Sequence, residues 1–327
     1  SAQVFEYIKH ASDYGIEVKE ASHDFSKIVK RSRDVAGGMS KGVQFLMKKN
    51  KIDVINGYGK LLPGKKVEVT ADDGTTQIIK ASHVMVATGG RSRQLPSLPQ
   101  DGKKIIGYRE AMTLAKQPKS IVIVGSGAIG IEFAYVYAAL GTKVTVVEYL
   151  PRIVPNEDAD VSKELAKSLK KTGIDFMTST EVTHVDTKGK GCVVHYKDAK
   201  GEHSMTSEMV LSAVGVTPNI ENIGLEAVGI QTERGHIVVD DMYRTTAPGY
   251  YAIGDVVPGQ ALAHVASAEG IICVESIAGH NPQAIDYNNI PGCTYCRPQI
   301  ASVGLSEAAA LDKGYEVRVG RFPFMGN

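Results

Sequence analysis

The chain has 327 residues, 43% of them hydrophobic and 22% charged, an ordinary globular composition with room for two or three domains. Its formal net charge of +1 argues against a broad electrostatic field for nucleic acid or an anionic membrane. No apolar run is long enough to span a bilayer, no charged-then-apolar leader opens the chain, and Cys192, Cys273, Cys293 and Cys296 are too scattered for a secreted disulfide framework, so a cytoplasmic enzyme is expected.

Residues 1–11 read as helix, and a second, amphipathic helix is predicted over 25–50. Asp24 is its expected N-cap, and Phe25, Ile28, Val35, Met39, Val43 and Leu46 form its apolar stripe. Short alternating strands are predicted at 52–56, 66–70 and 76–80, with Asp73-Gly74 as the turn between the last two. A buried-type run at 83–87 stops at Thr88-Gly89-Gly90, and Pro96 and Pro99 mark a linker.

The sequence then becomes most specific. Ile121-Val122-Ile123-Val124 runs into Gly125-Ser126-Gly127-Ala128-Ile129-Gly130-Ile131-Glu132, and Lys143-Val144-Thr145-Val146-Val147-Glu148 follows as a second strand ending in an acid. In this strand–turn–helix–strand setting each glycine has a task. Gly125 allows the tight turn, Gly127 lets the backbone approach a pyrophosphate, and Gly130 lets helix and strand pack closely. The helix N-terminus offers free N–H groups to the phosphates. Glu148, 18 residues after Gly130, is placed to accept hydrogen bonds from a ribose diol, which disfavours NADP; a solvated strand-end acid is the plainer reading, and Arg152 lies close by in sequence.

A helix is predicted over 157–171, capped by Asn156, then strands at 174–176, 182–185 and 192–196. The run 209–214 stops at Gly215, as the run before Gly89 does, and the two read as the closing strands of a duplicated nucleotide-binding fold. In the second copy Gly125 precedes Gly215 by 90 residues, and the same offset from Gly89 falls before the first residue. The first copy is therefore expected to be present only in part, and both ends of the chain read as cut. Beyond the repeat, 249–255 reads as a strand ending in Asp255, 263–278 as a helix, and 287–327 as strands at 300–303 and 316–319 around a short helix at 306–313.

Several of these motifs occur together and in order: Asn56-Gly57-Tyr58-Gly59-Lys60, Ala87-Thr88-Gly89, the Gly125 fingerprint, Gly215-Val216-Thr217-Pro218-Asn219, Ala252-Ile253-Gly254-Asp255-Val256-Val257-Pro258-Gly259, Leu262-Ala263-His264 and Ile300-Ala301-Ser302-Val303-Gly304. In combination they resemble the flavin-dependent pyridine nucleotide–disulfide oxidoreductases, and most closely the members that oxidise dihydrolipoamide. The resemblance implies an α/β protein with two Rossmann-like nucleotide-binding domains, the FAD domain incomplete and the NAD domain complete, plus the beginning of an α+β dimer-interface domain. The expected boundaries are 1–116 (partial FAD domain), 117–245 (NAD domain), 246–286 (FAD/central segment) and 287–327 (start of the interface domain).

The implied chemistry passes two electrons from dihydrolipoamide to a cystine pair, then to FAD, then as hydride to NAD⁺. Carried onto this chain, Gly59, Thr88, Gly89 and Gly90 line the FAD site and Asp255 meets the ribitol chain. The backbone of Ala261, Leu262, Ala263 and His264 faces the flavin ring. Gly125, Ser126, Gly127, Ala128, Ile129, Gly130, Ile131 and Glu132 hold NAD, with Glu148 on the ribose and Val182 and Gly215 flanking. Glu132 reads either as a carboxylate beside the nicotinamide, without the family's partner lysine, or as an acid favoured by the helix dipole alone. Asp255 has the plainer reading of a turn aspartate, and His264 that of a packing residue at a helix start.

The family's C-x-x-x-x-C redox pair is not in the sequence, nor are its FAD glycine fingerprint and His-Glu acid–base pair, so no complete catalytic set is expected. Cys293 and Cys296 read as incidental thiols, and no metal site is predicted. The expected partners are dihydrolipoamide on a 2-oxo acid dehydrogenase complex or glycine cleavage system and, in the whole form, a second copy as homodimer, with weak or altered dimerisation of this chain. A sister disulfide or metal-ion reductase, and an NAD(H)-binding module without turnover, are the competing readings.

Overall fold

Ile121-Val122-Ile123-Val124 is apolar at every position because its strand is covered on both faces. In the computed structural model, which describes residues 1–323, Ser120–Val124 is the central strand of a five-stranded parallel sheet. The order across the sheet is Ile105–Ile106, Met209–Ser212, Ser120–Val124, Lys143–Val147 and Asp175–Met177. Alternation along the strands sorts the core. Ile121, Ile123, Val144 and Val146 pack with Ile131, Ala134, Tyr137, Leu165 and Leu169 of the two flanking helices, Ala128–Ala139 and Ala159–Lys171. Val122, Val124 and Val147 face the other way, onto Val182, Cys192 and Val194. Those three belong to an antiparallel meander of Glu181–Asp186, Cys192–Asp198 and Gly201–Ser207. With residues 1–32, 92–104 and 288–323, these elements make one compact unit.

The second unit comprises 33–91 and 216–287. It contains the antiparallel sheet of Tyr58–Leu62, Lys66–Thr70 and Thr76–Lys80, and a parallel pair of Val84–Val86 with Tyr250–Ala252. Helix Ala263–Ile277 follows. Its core gathers Leu61, Val84, Val86, Ile237, Tyr250 and Val256.

Several expectations are corrected. Residues 52–56 are irregular, and the strand begins at Tyr58. At Gly57 (φ +150°) a Cβ would stand 2.6 Å from Thr70 O, so the chain meets its partner Lys66–Thr70 only past that glycine. The Ala159–Lys171 helix starts two residues later than expected and is flanked by Asp158, not Asn156. Asp158 does not cap it; its carboxylate accepts the Glu307 N–H at 2.8 Å. Residues 316–319 form no strand, and Val319 is exposed. The long helix is Phe25–Lys49, and Asp24 accepts the Lys27 N–H at 3.1 Å as an N-cap should. Of its stripe only Phe25 and Ile28 are partly covered, while Val35, Met39, Val43 and Leu46 are exposed. Residues 324–327 of the expected interface segment lie outside the described residues.

Candidate functional sites

The three fingerprint glycines are enforced by different things. A Cβ on Gly130 would fall 2.0 Å from Gly125 O, and one on Gly125 (φ +101°) would fall 2.4 Å from Ala213 O. The protein's own backbone forbids a side chain at both. Gly127 is extended (φ −68°, ψ −176°), a conformation open to any residue, and a Cβ there would meet nothing within 4 Å. Its lack of a side chain leaves a cradle at the start of helix Ala128–Ala139, which no side chain caps. The uncapped N–H groups and the open approach suit a pyrophosphate.

Glu148 ends the second strand as a buried carboxylate. Its Oε2 accepts the Ser126 N–H at 2.8 Å and the Ser126 hydroxyl at 2.6 Å, and its Oε1 accepts the Leu150 N–H at 2.8 Å. The acid is thereby tied to the glycine loop, with one lone pair of Oε1 still available for a hydroxyl. Val182 shares a core cluster with Val124, Val147 and Val214, near the strand ends. Gly215 (φ +104°) takes the turn just after Ala213, whose N–H bonds Val124 O at 2.8 Å.

Glu132, half-buried on the same helix, accepts the Tyr295 N–H at 2.9 Å. Burial raises its pKa, and that hydrogen bond opposes the rise. Cys293 and Cys296 diverge. Cys293 is exposed on the short strand Gly292–Thr294, whereas Cys296 is buried with its thiol pushed up to about 11 by burial, the Glu132 charge adding to the effect. A thiol held so high is a poor nucleophile near neutrality.

In the second unit the Thr88–Gly90 turn is bound to Asn219. Thr88 Oγ1 donates to Asn219 O at 2.6 Å, Asn219 Nδ2 to Thr88 O at 3.0 Å, and the Asn219 N–H to Gly89 O at 2.8 Å. Gly89 has φ +71°, and a Cβ on Gly90 would stand 3.0 Å from an Asp255 carboxylate oxygen. Thr88 and Asn219 border a cleft of about 610 Å³ also lined by Gly57, Gly59, Arg91 and Glu221. Arg91 and Glu221, which carry no local sequence signal, form a two-pronged ion pair at 2.6 and 3.0 Å.

Arg91 holds the Glu221 carboxyl down to about 2. A depressed folded-state pKa stabilises above the unfolded value of about 4.3 and loses that stabilisation as pH falls towards 2. Both side chains are about half exposed, so solvent and salt reduce the gain. In melts across this window the parent chain is expected to lose more Tm than Glu221→Gln does, and the difference is expected to shrink in high salt. Parallel decline of the two would remove the pair from the account.

Glu269 was also missed. It is the buried acid of helix Ala263–Ile277, 1% exposed. It accepts the Gly254 N–H at 2.6 Å and the Tyr287 hydroxyl at 2.7 Å, and Tyr287 in turn meets the Tyr243 hydroxyl at 3.1 Å. Burial, then its two hydrogen-bond partners, raises the Tyr287 pKa. The bond to Gly254 fixes the turn that carries Asp255 against the helix whose first turn holds Ala263 and His264. That helix start, flanked by Leu262 and exposed at Ala261, Ala263 and His264, has no side-chain cap. A carboxylate among the apolar residues of this helix was the available signal.

The model of the pyridine nucleotide-disulphide oxidoreductase family matches residues 8–270, and that of the family's dimerisation domain matches 290–327. A dihydrolipoyl dehydrogenase of Chlorobaculum tepidum is 45% identical over 325 residues, which take in 99% of this chain and 69% of that one. One from Zymomonas mobilis is 42% identical over 331 residues, taking in 100% and 71%. The crystal structure of LpdA from Mycobacterium tuberculosis superimposes with a TM-score of 0.88 at 31% identity, covering 96% of this chain and 68% of that one.

Proposed function

Because the chain belongs to the pyridine nucleotide-disulphide oxidoreductase family, we propose that it serves the dihydrolipoyl dehydrogenase reaction, the oxidation of dihydrolipoamide by NAD⁺ by way of FAD. The observation that carries this reading is the fingerprint turn, in which two glycines are required by the protein's own backbone and the third faces open space. FAD, when bound, accepts the electron pair and passes it on as hydride.

The chain's own residues have these parts. The N–H groups from Gly127 to Gly130 receive the NAD pyrophosphate, with Ser126, Ala128, Ile129 and Ile131 shaping the loop. Glu148 takes the adenosine ribose. Glu132, oriented by Tyr295, stands beside the nicotinamide, and Val182 and Gly215 flank the NAD. In the second unit Gly59, Thr88, Gly89 and Gly90 border the flavin nucleotide and Asp255 accepts from its ribitol. The uncapped start of helix Ala263–Ile277 favours the electron-rich reduced ring. None of the four cysteines is assigned the disulfide step. The domain division at 116/117, 245/246 and 286/287 belongs to this proposal. So do dimerisation through the last segment, docking on a 2-oxo acid dehydrogenase or glycine cleavage assembly, and a cytoplasmic location. No helix among the described residues is long and apolar enough to cross a membrane.

The test is a visible absorbance spectrum of the purified chain before and after adding FAD and desalting, followed by NADH titration and dihydrolipoamide-driven NAD⁺ reduction. Retained flavin together with NADH binding supports both halves of the assignment. NADH binding without flavin or turnover reduces the function to that of a dinucleotide-binding module, and failure to bind NADH overturns the proposal.

A further inference from the structure

We propose that His184, Asp186 and His195 form a binding site for one divalent cation of the zinc type on the outer face of the antiparallel meander. Val182 lies opposite Tyr196, yet His184 lies opposite His195, so Thr183 is an extra residue, a β-bulge in the first strand. Without it, strict alternation would turn His184 to the same side as buried Val182. With it, Val182 and Val185 face the core while His184 and Asp186 face outward, on the side of His195. Bulges re-aim side chains, and this one brings a second imidazole beside the first.

The donor set and its closeness suit a metal. The His184 and His195 rings stack with centroids 4.0 Å apart and planes within 7°. Both Nε2 atoms address one carboxylate oxygen, Asp186 Oδ2, at 3.9 Å from His184 and 3.1 Å from His195. The three ligand atoms all lie within 4.8 Å of one another. Zinc bound at about 2.0–2.1 Å in tetrahedral geometry separates its ligand atoms by roughly 3.3 Å; because imidazole lone pairs lie in the ring planes, the two exposed rings must splay out of their stack to face one ion. Two imidazoles and one carboxylate suit zinc, nickel, cobalt or copper, whereas magnesium and calcium prefer all-oxygen sets. Three protein ligands leave coordination positions for water or an outside group. An ordinary His195–Asp186 hydrogen bond has no use for His184 and leaves the bulge unexplained.

The tag-free chain should be titrated with zinc chloride by calorimetry, with magnesium chloride as comparison, and with cobalt(II) chloride for its visible spectrum. The expected result is about one zinc bound, no magnesium heat, and a cobalt spectrum without a thiolate charge-transfer band. His195→Gln and His184→Gln should each weaken zinc by more than the roughly 10–100-fold that loss of an outer-shell partner costs. Zinc should raise Tm in the parent and not in these variants. Should either variant melt early without metal, Asp186→Asn, which keeps the side-chain shape, takes its place. Unchanged affinity in the variants, a thiolate band pointing to a cysteine such as Cys293, or no zinc uptake would each overturn the site.

Discussion

Gly127→Ala is expected to leave the melting temperature of the chain unchanged and to weaken NADH binding about 5- to 150-fold, whereas Gly130→Ala is expected to damage the fold itself. The Gly127 methyl group would point into open space from a backbone conformation any residue adopts, so the free protein has nothing to lose. With a dinucleotide in place, the same methyl group lies where the pyrophosphate must come closest. Overpacking of this kind costs about 1–3 kcal/mol, and here it would fall on the bound state alone, which gives the stated range. At Gly130 the methyl group would lie 2.0 Å from Gly125 O, an atom that cannot move without opening the turn. The loss there is at least the ~3 kcal/mol upper end of the overpacking range, at roughly 2–4 °C per kcal/mol. Thermal melts and NADH fluorescence titration on the two variants read both effects. Equal Tm losses, or unchanged NADH affinity in Gly127→Ala, would show that the open side of the turn is not the ligand's side.

Glu269→Ala is expected to be the most damaging single change in the second unit. It leaves the Gly254 N–H and the Tyr287 hydroxyl without their acceptor in a place 1% exposed. Each orphaned buried group costs about 1–3 kcal/mol, and a cavity adds to that. Tyr287→Phe, which removes one donor and keeps the ring, should cost about 1 kcal/mol. Glu269→Gln keeps an acceptor for Gly254 and should fall between. Because the Gly254 turn carries Asp255, flavin retention should follow the same order as stability in denaturant melts. If flavin affinity is the same in Glu269→Gln and Glu269→Ala, the Asp255 turn is not what Glu269 positions.

What could be read in the sequence was whatever depends on local repetition. The all-apolar strand, the G-x-G-x-x-G turn and the Asp73-Gly74 hairpin are short patterns with one physical solution each, and all three occur where expected. The strand expected at 52–56 failed because alternation alone does not supply a partner; its place was taken two residues on, where Gly57 lets the backbones meet. Asn156 was the expected cap, but the helix begins at Ala159 beside Asp158, and a long-range partner, Glu307, decides what that aspartate does. Glu269, Arg91 and Glu221 depend on neighbours distant in sequence, and the His184–His195 pairing depends on a one-residue bulge that no periodicity announces. The stripe on the Phe25–Lys49 helix gave the correct period without saying what, if anything, covers it.

The three hydrogen bonds on Glu148 have a consequence for discrimination between cofactors. A loosely held acid could swing aside to admit a phosphate on the ribose, at the cost only of a rotamer change. This one cannot retreat without releasing two donors of Ser126 and one of Leu150. On the ribose role proposed for Glu148, rejection of the phosphorylated cofactor would be a property of rigidity as much as of sign. Ser126→Ala keeps the acid and removes one of the three tethers, the hydroxyl, leaving the two backbone N–H bonds; it should become somewhat more tolerant while its charge stays the same.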